Sequence, residues 1–231
     1  MRRRPHFKEL THERLGDQFA DALSMYDTNR RLEVLVDEFL PRDLIAGRHV
    51  REVGCGLGFF SERLGQRGAI VTACDVGPGL VERTRSRARC TALVADALLL
   101  TETFGENRFD VVVSSECIEH TPYPANALRQ MVAVVKPGGW IAVSTPNRLW
   151  QPVVRMASRL RLRPFDGYEN FSSWNGMRRT FREAGADVVT ERGLHLFPFQ
   201  LGFHPLSTWC DRHLQAARGL MINVCMLARR R

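Results

Sequence analysis

Short apolar runs alternate along this chain with stretches whose apolar positions recur every three or four residues. Five runs come first: HVREV (49–53), AIVTACD (69–75), TALVAD (91–96), FDVVVS (109–114) and GWIAVST (139–145). Their length and their β-branched content predict buried strands. The segments 58–67, 79–88 and 124–135 between them carry a helical pattern. Strands separated this way predict βαβ units on a parallel sheet, with right-handed crossovers placing helices on both faces. Two late runs, ADVVTER (186–192) and LMINVCMLA (220–228), follow a helix expected over 172–184. Only an irregular stretch is expected between them, which suggests a hairpin-like antiparallel edge. Upstream, 10–23 and 28–40 read as helices that cap the sheet or the site. The segment 146–171 breaks the alternation and reads as an insertion. The expected organisation is an N-terminal helical cap (1–47) on a doubly wound α/β domain (48–231).

Composition narrows this picture. Hydrophobic residues make up 44% of 231, enough to build a core. The net charge of +8 comes almost wholly from arginine, since Lys8 and Lys136 are the only lysines. A GC-rich genome produces the same bias, so it is discounted as a sign of nucleic-acid binding, although a basic surface does favour anionic partners. Six scattered cysteines form no CxxC pair, which argues against a zinc site or a disulfide framework and fits a reducing cytoplasm. MRRRPHFKEL leads into no apolar segment and does not read as a signal peptide. No run reaches the roughly 18 apolar residues of a membrane span.

The chemistry starts at EVGCGLGFF (52–60), where the first strand enters a helix. Gly54, Gly56 and Gly58 allow a sharp bend and a close backbone approach to a ligand. Asp75 ends the second strand, where an acid accepts hydrogen bonds from ribose hydroxyls. This pair fits either a dinucleotide or S-adenosylmethionine. Asp96 ends the third strand, placed either to receive an adenine amino group or simply to cap a helix. VKPGGWIAVSTPNR (135–148) adds a Lys-Pro-Gly-Gly turn before the fifth strand.

With VREVGCGLG, VTACD, VADA, FDVVVSSECIEH and VKPGGWIAVSTPNR in this order, the chain resembles the class I S-adenosylmethionine-dependent methyltransferases over about 48–148. The resemblance implies a Rossmann-like, seven-stranded sheet whose last strand is antiparallel. It implies that Gly54 and Gly56 line the methionine part of the cofactor, that Asp75 holds the ribose and that Asp96 sits at the adenine edge. The loop neighbours Cys55, Val76 and Ala97 are counted with them. It also implies an arginine reaching the cofactor's carboxylate, with Arg31 as the match and Arg30 as the alternative. Either residue could instead face solvent. No Asn/Asp-Pro-Pro-Tyr motif follows the fourth strand, a departure from the members that act on amide or exocyclic amino groups, including many on DNA and RNA.

SECIEH followed by STPNR is similar to the O-methyltransferases of ubiquinone biosynthesis, and GLHLFPF (193–199) adds a looser match. That resemblance implies Ser115 against the cofactor, and Glu116, Glu119 and His120 as ligands of a magnesium ion. If 116–120 begins a helical turn, i, i+3 and i+4 share a face, at the sheet end where α/β folds bind ligands. His120 is then the candidate general base, with Glu119 beside it; a bound metal that acidifies the acceptor hydroxyl is the other route. His195 and His204 read as structural, or as stand-ins for that base.

RLWQPVVRMASRLRLRPF (148–165) sets Leu149, Val153, Met156 and Leu160 in a stripe beside Arg148, Arg155 and Arg159. Such a helix lies on an anionic membrane surface, closes as a lid, or packs on the core. Aromatic residues (Trp150, Phe165, Tyr168, Phe171, Trp174, Phe197, Phe199, Phe203 and Trp209) cluster after the fifth strand and suit the wall of an acceptor pocket. The sequence thus points to a methyltransferase that takes its methyl from S-adenosylmethionine and leaves S-adenosylhomocysteine, with a small-molecule hydroxyl as acceptor. Amine, carbon or sugar acceptors, a dehydrogenase, and a membrane-associated scaffold are the competing readings.

Overall fold

The computed structural model describes residues 24–160, 169–197 and 202–231. The helix expected over 10–23 lies outside them, as do Phe165, Tyr168 and Phe199. Seven strands form one sheet in the order β3-β2-β1-β4-β5-β7-β6. They are β1 (His49–Val53), β2 (Ile70–Asp75), β3 (Thr91–Val94), β4 (Phe109–Ser115), β5 (Val135–Pro146), β6 (Ala186–Leu194) and β7 (Asn223–Arg230). β1 to β5 run parallel, and β7 runs antiparallel to both β5 and β6. The late pair is therefore antiparallel, as its sequence suggests, but β7 inserts between β5 and β6 and the edge strand is β6.

Burial explains the central strands. Val111, Val112 and Val113 of β4 are all 1% exposed or less, as expected of a parallel strand covered on both faces. The Lys-Pro-Gly-Gly segment belongs to β5, where the register against β4 shifts between Phe109 and Val111. One core layer holds Val53, Val112, Ile141, Leu128, Met131 and Phe181. The opposite layer holds Val50, Val111, Val113 and Ala142 together with Leu35, Val36, Phe39, Leu40 and Ile45 from upstream of β1. The N-terminal helical segment thus shares a core with the sheet.

That segment comprises α1 (Met25–Leu32), a π-helical continuation (Glu33–Glu38) and the short α2 (Arg42–Ile45). Ser24 caps α1 by accepting from the Asp27 amide at 3.3 Å. The crossovers are α3 (Phe59–Gln66), α4 (Pro78–Ala88), α5 (Leu100–Phe104) and α6 (Pro124–Val134). Proline opens α4 and α6, at the position where its missing N–H costs nothing.

The insertion forms a 3-10 turn (Arg148–Trp150) and α7 (Gln151–Arg159), followed by α8 (Trp174–Glu183) before β6. No residue of α7 is fully buried, Val154, Ala157 and Ser158 are half-buried, and the stripe through Val153 and Met156 faces outward. The stretch after β6 is less irregular than its sequence suggests: α9 spans His204–His213, and a 3-10 segment spans Gln215–Leu220. His204 and Pro205 open α9 much as Pro78 and Pro124 open their helices.

Candidate active site

Strands β1 to β4 end at one pocket, as open α/β sheets do at the carboxyl side of their strands. Its wall includes Gly54, Cys55, Gly56, Asp75, Val76, Asp96, Ala97, Ser115, Glu116 and His120, together with Arg31 from α1. Every residue expected at the cofactor is thus gathered in one place. Glu119 is not in that wall.

The glycine bend is built by backbone hydrogen bonds. The Gly54 and Cys55 amides both donate to the Cys74 carbonyl, at 2.8 and 3.0 Å. Gly54 sits at φ +78°, and a Cβ there would meet Cβ and Sγ of Cys117 at 2.5 Å. Gly58 sits at φ +82°, and its Cβ would meet Cα of Thr84 at 2.9 Å. Gly58 therefore permits the close approach of α3 to α4, whereas the final glycine of the dinucleotide pattern, at Phe59 here, serves helix–strand packing.

Asp75 spans the bend. Its Oδ2 accepts from the Gly56 amide at 3.0 Å and its Oδ1 from the Gly77 amide at 3.1 Å. Asp96 accepts from the Leu98 amide at 2.8 Å, so it caps the following turn and lines the pocket at once. Glu52 is an unanticipated member of the wall: it is buried, accepts a hydrogen bond from the Ser61 hydroxyl and is pushed by burial to a pKa of about 8. Its signal was present in the sequence, as a lone acid in the apolar run before the glycines. Thr28, Leu80 and Cys117 also line the pocket without having been foreseen.

SSECIEH begins as the end of β4, not as a helix. Glu116 takes a left-handed backbone at φ +50°, unusual for a side chain of its size. The following turn is 3-10 and spans only Ile118–His120. Residues 116, 119 and 120 therefore do not share one helical face. Ser144 donates to Glu116 Oε1 at 2.9 Å, and Thr145 donates to Glu119 Oε2 at 3.1 Å. Burial raises both carboxyls, Glu116 to about 8 and Glu119 to about 7; the pressure on Glu116 is increased by Glu119 and relieved by Arg31. His120 is partly exposed at the pocket, with Nε2 3.9 Å from Glu119 Oε1. Among the described residues no three carboxylate, imidazole or thiol groups come together in a set able to hold a metal ion. The magnesium ligation expected of Glu116, Glu119 and His120 does not fit this arrangement, because the three groups do not come together as a ligand set among the described residues.

Arg31 Nη1 donates to Ser115 Oγ at 2.6 Å, whereas Arg30 turns to Glu33 and Asp211. This separates the two candidate arginines: Arg31 lines the pocket and Arg30 does not. His195 is fully buried on Asp27, with its Nε2 2.9 Å from Oδ1, and it lies outside the pocket wall. His204 stacks on Tyr26, with ring centroids 3.9 Å apart, and is likewise outside the wall. Neither reaches the pocket to stand in for His120.

Comparison with known proteins gives the class. A family model described as a methyltransferase domain matches residues 51–143. The ubiquinone biosynthesis O-methyltransferase of Bordetella avium is 34% identical over 190 residues, or 75% of this chain and 76% of that one. The Nitrosococcus oceani protein of the same name is 31% identical over 203 residues, or 83% and 84% of the two chains. The crystal structure of an S-adenosylmethionine-dependent methyltransferase from Mesorhizobium loti shares the fold, with a TM-score of 0.67 at 18% identity over 87% of this chain and 98% of that one. This chain belongs to the S-adenosylmethionine-dependent methyltransferases. Within them it is similar to the ubiquinone-biosynthesis O-methyltransferases, and S-adenosylmethionine is its methyl donor.

Proposed function

We propose that this enzyme methylates a hydroxyl of a lipophilic small molecule, phenolic or quinone-precursor in type, with His120 as general base. The carrying observation is the charge of the pocket wall. Among the described residues four acidic side chains (Glu52, Asp75, Asp96 and Glu116) and one arginine line the pocket, and burial holds Glu52 and Glu116 up at a pKa of about 8. A dinucleotide diphosphate would bring two negative charges into that wall, which disfavours the dehydrogenase reading. S-adenosylmethionine has no phosphate and has a sulfonium and an ammonium group to set against the acids, and the bare backbone at Gly54 leaves room for it.

In this reading Asp75 accepts from the ribose hydroxyls, Asp96 from the adenine edge, and Arg31 donates to the carboxylate of the methionine part. Ser115 shares that arginine. When bound, the cofactor supplies an activated methyl on a sulfonium. The chain's own task is then alignment and removal of a proton. The other ring nitrogen of His120, Nδ1, takes the acceptor's hydroxyl proton, and Glu119 stands on the Nε2 side of the imidazole, with Oε1 3.9 Å away. The Oε1 of Glu119 faces His120 while its Oε2 is held by Thr145. No step runs through a metal.

Two measurements test this. Calorimetry should show binding of S-adenosylhomocysteine and none of NAD at the same concentration; the reverse would overturn the cofactor assignment for this pocket. With labelled S-adenosylmethionine and a panel of catechols, amines and sugars, the label should appear on a phenolic oxygen. Label on nitrogen, carbon or a sugar alone would remove the phenol.

A second element of the proposal concerns where the acceptor is met. No helix among the described residues is long and apolar enough to cross a membrane. Leu149, Val153, Met156 and Leu160 are nevertheless all more than half exposed, on and beside α7. An outward apolar stripe beside Arg155 and Arg159 suits peripheral contact with an anionic lipid surface, the phase in which a lipophilic acceptor resides. Sedimentation with anionic vesicles should fall on Val153→Asp/Met156→Asp; unchanged sedimentation removes this contact.

A further inference from the structure

The reaction as described uses Arg31 but none of the polar groups packed behind it. Asp27 lies one turn before Arg31 on α1 and holds two of its nitrogens, Nε at 3.1 Å and Nη2 at 2.9 Å, both on Oδ2. This leaves Nη1 directed at Ser115 Oγ, 2.6 Å away on the pocket wall. The other oxygen of Asp27 meets His195 Nε2 at 2.9 Å. His195 comes from the loop after β6, 168 residues along the chain. Its ring is fully buried, and its backbone is left-handed at φ +62°. A non-glycine residue keeps that conformation only where its surroundings fix it. Here the His195 and Leu196 amides both donate to Asp211 Oδ1 on α9, at 2.9 and 3.3 Å, and the Tyr26 ring stands 5.6 Å from the imidazole. Burial alone would raise the Asp27 carboxyl, but Arg31 and His195 hold it below its usual value, so the carboxylate is kept charged for the arginine.

An arginine has four rotatable side-chain bonds and points nowhere in particular unless both edges of its guanidinium are held. Thr28 Oγ1 adds only a long contact to Nη2, at 3.4 Å. Asp27 is the main constraint on Arg31, and His195 is the group that constrains Asp27. We propose that His195 is a positioning residue for the cofactor: through Asp27 it fixes the Arg31 guanidinium in the orientation that receives the cofactor's carboxylate. The inference rests on the reading above that Arg31 meets that carboxylate.

Two ligands separate positioning from mere structural support. S-adenosylhomocysteine has the amino-acid part, whereas 5′-methylthioadenosine keeps the adenosine and the thioether and lacks it. His195→Asn tolerates the left-handed backbone and is too short to reach Asp27. It should weaken S-adenosylhomocysteine about tenfold and leave methylthioadenosine within about twofold, the size expected for losing a hydrogen bond to a charged group. His195→Gln, whose amide can reach Asp27, should restore most of the loss. Asp27→Ala removes the same link from the other side and should show the same ligand dependence, which keeps the test open if the His195 variant does not fold. Arg31→Ala should reproduce the pattern, and Arg31→Ala/His195→Asn should bind no worse than Arg31→Ala alone. Equal weakening of both ligands, additive losses in the double variant, or unchanged S-adenosylhomocysteine binding in His195→Asn would each overturn the inference. If Arg31→Ala itself leaves S-adenosylhomocysteine unaffected, the carboxylate reading is what fails, and the inference falls with it.

Discussion

One side of the pocket is backbone, and the other is side chains brought from far apart. The ends of β1, β2 and β3 supply a bend, two aspartates and amides that hydrogen-bond within about twenty residues of one another, such as Gly56 to Asp75 and Gly77 to Asp75. The opposite side joins α1 to the ends of β4 and β5 and to the loop after β6, through Arg31, Ser115, Ser144, Asp27 and His195. The backbone side has almost no freedom to lose when a ligand arrives, because its shape is set by dihedral angles and strand pairing. The side-chain side must be held by partners, each of which needs partners of its own. Mutations should therefore act all-or-none on the first side and by degrees on the second.

The largest expected effect is on the backbone side. Gly54→Ala adds a Cβ that meets Cys117 at 2.5 Å, at a φ of +78°. Left-handed strain and overpacking together cost on the order of 2–5 kcal/mol. We expect S-adenosylhomocysteine binding to vanish from calorimetry and the melting temperature to drop. Adding Cys117→Gly relieves the overlap but not the dihedral strain, so rescue should be partial. Full binding by Gly54→Ala alone would show that the bend is not needed.

Next in size is His120→Ala, on the side-chain side. Loss of a general base lowers turnover by about 10²–10⁴-fold. Affinity for S-adenosylhomocysteine should stay within about threefold, since Asp75, Asp96 and the bend are untouched. Parallel losses in turnover and affinity would make His120 a cofactor residue and remove it as the base.

The same contrast explains what could be read from the sequence. The strands, the crossovers and the residues Gly54, Asp75 and Asp96 follow from local pattern, because each sits at the end of a strand whose apolar run is visible, whereas Ser115 follows from family resemblance alone. Arg31 against Arg30 could not be separated by pattern, since adjacent helical positions differ only in where the rest of the fold lies. In the structure Arg31 faces Ser115 and Arg30 faces Asp211. The link from Asp27 to His195 joins positions 168 residues apart and leaves no periodic trace. SSECIEH misled in a physical way: its i, i+3, i+4 spacing suits a helix, but β4 runs through Ser115 and leaves Glu116 in a left-handed turn. α9 was hidden for another reason. HPLSTWCDRH carries no clear apolar stripe, and only Ser207, Cys210 and Asp211 of it are buried.

The smallest effect concerns the acids that the two sides share, and it is read in stability rather than activity. Burial, the nearby Glu119 and Asp27 raise the Glu116 carboxyl from its ordinary 4.5 to about 8, against the pull of Arg31 and the Ser144 hydroxyl. Glu52 and Glu119 are raised too, to about 8 and about 7. A carboxyl whose folded pKa lies above its unfolded value takes up a proton on folding. Its contribution is therefore complete below about pH 4.5 and is lost as pH climbs through the folded value. The ligand-free protein should melt at steadily lower temperature between about pH 5 and pH 8, with a slope of at most about 1.4 kcal/mol per pH unit for each such group. Glu116→Gln mimics the protonated acid and can still accept from Ser144, so it should flatten part of that slope and gain most at pH 8. If Glu116→Gln and the parent protein lose stability in parallel from pH 5 to 8, Glu116 is already ionised in the fold. The side-chain half of the pocket would then hold its arginine between two full negative charges, Asp27 and Glu116, rather than one.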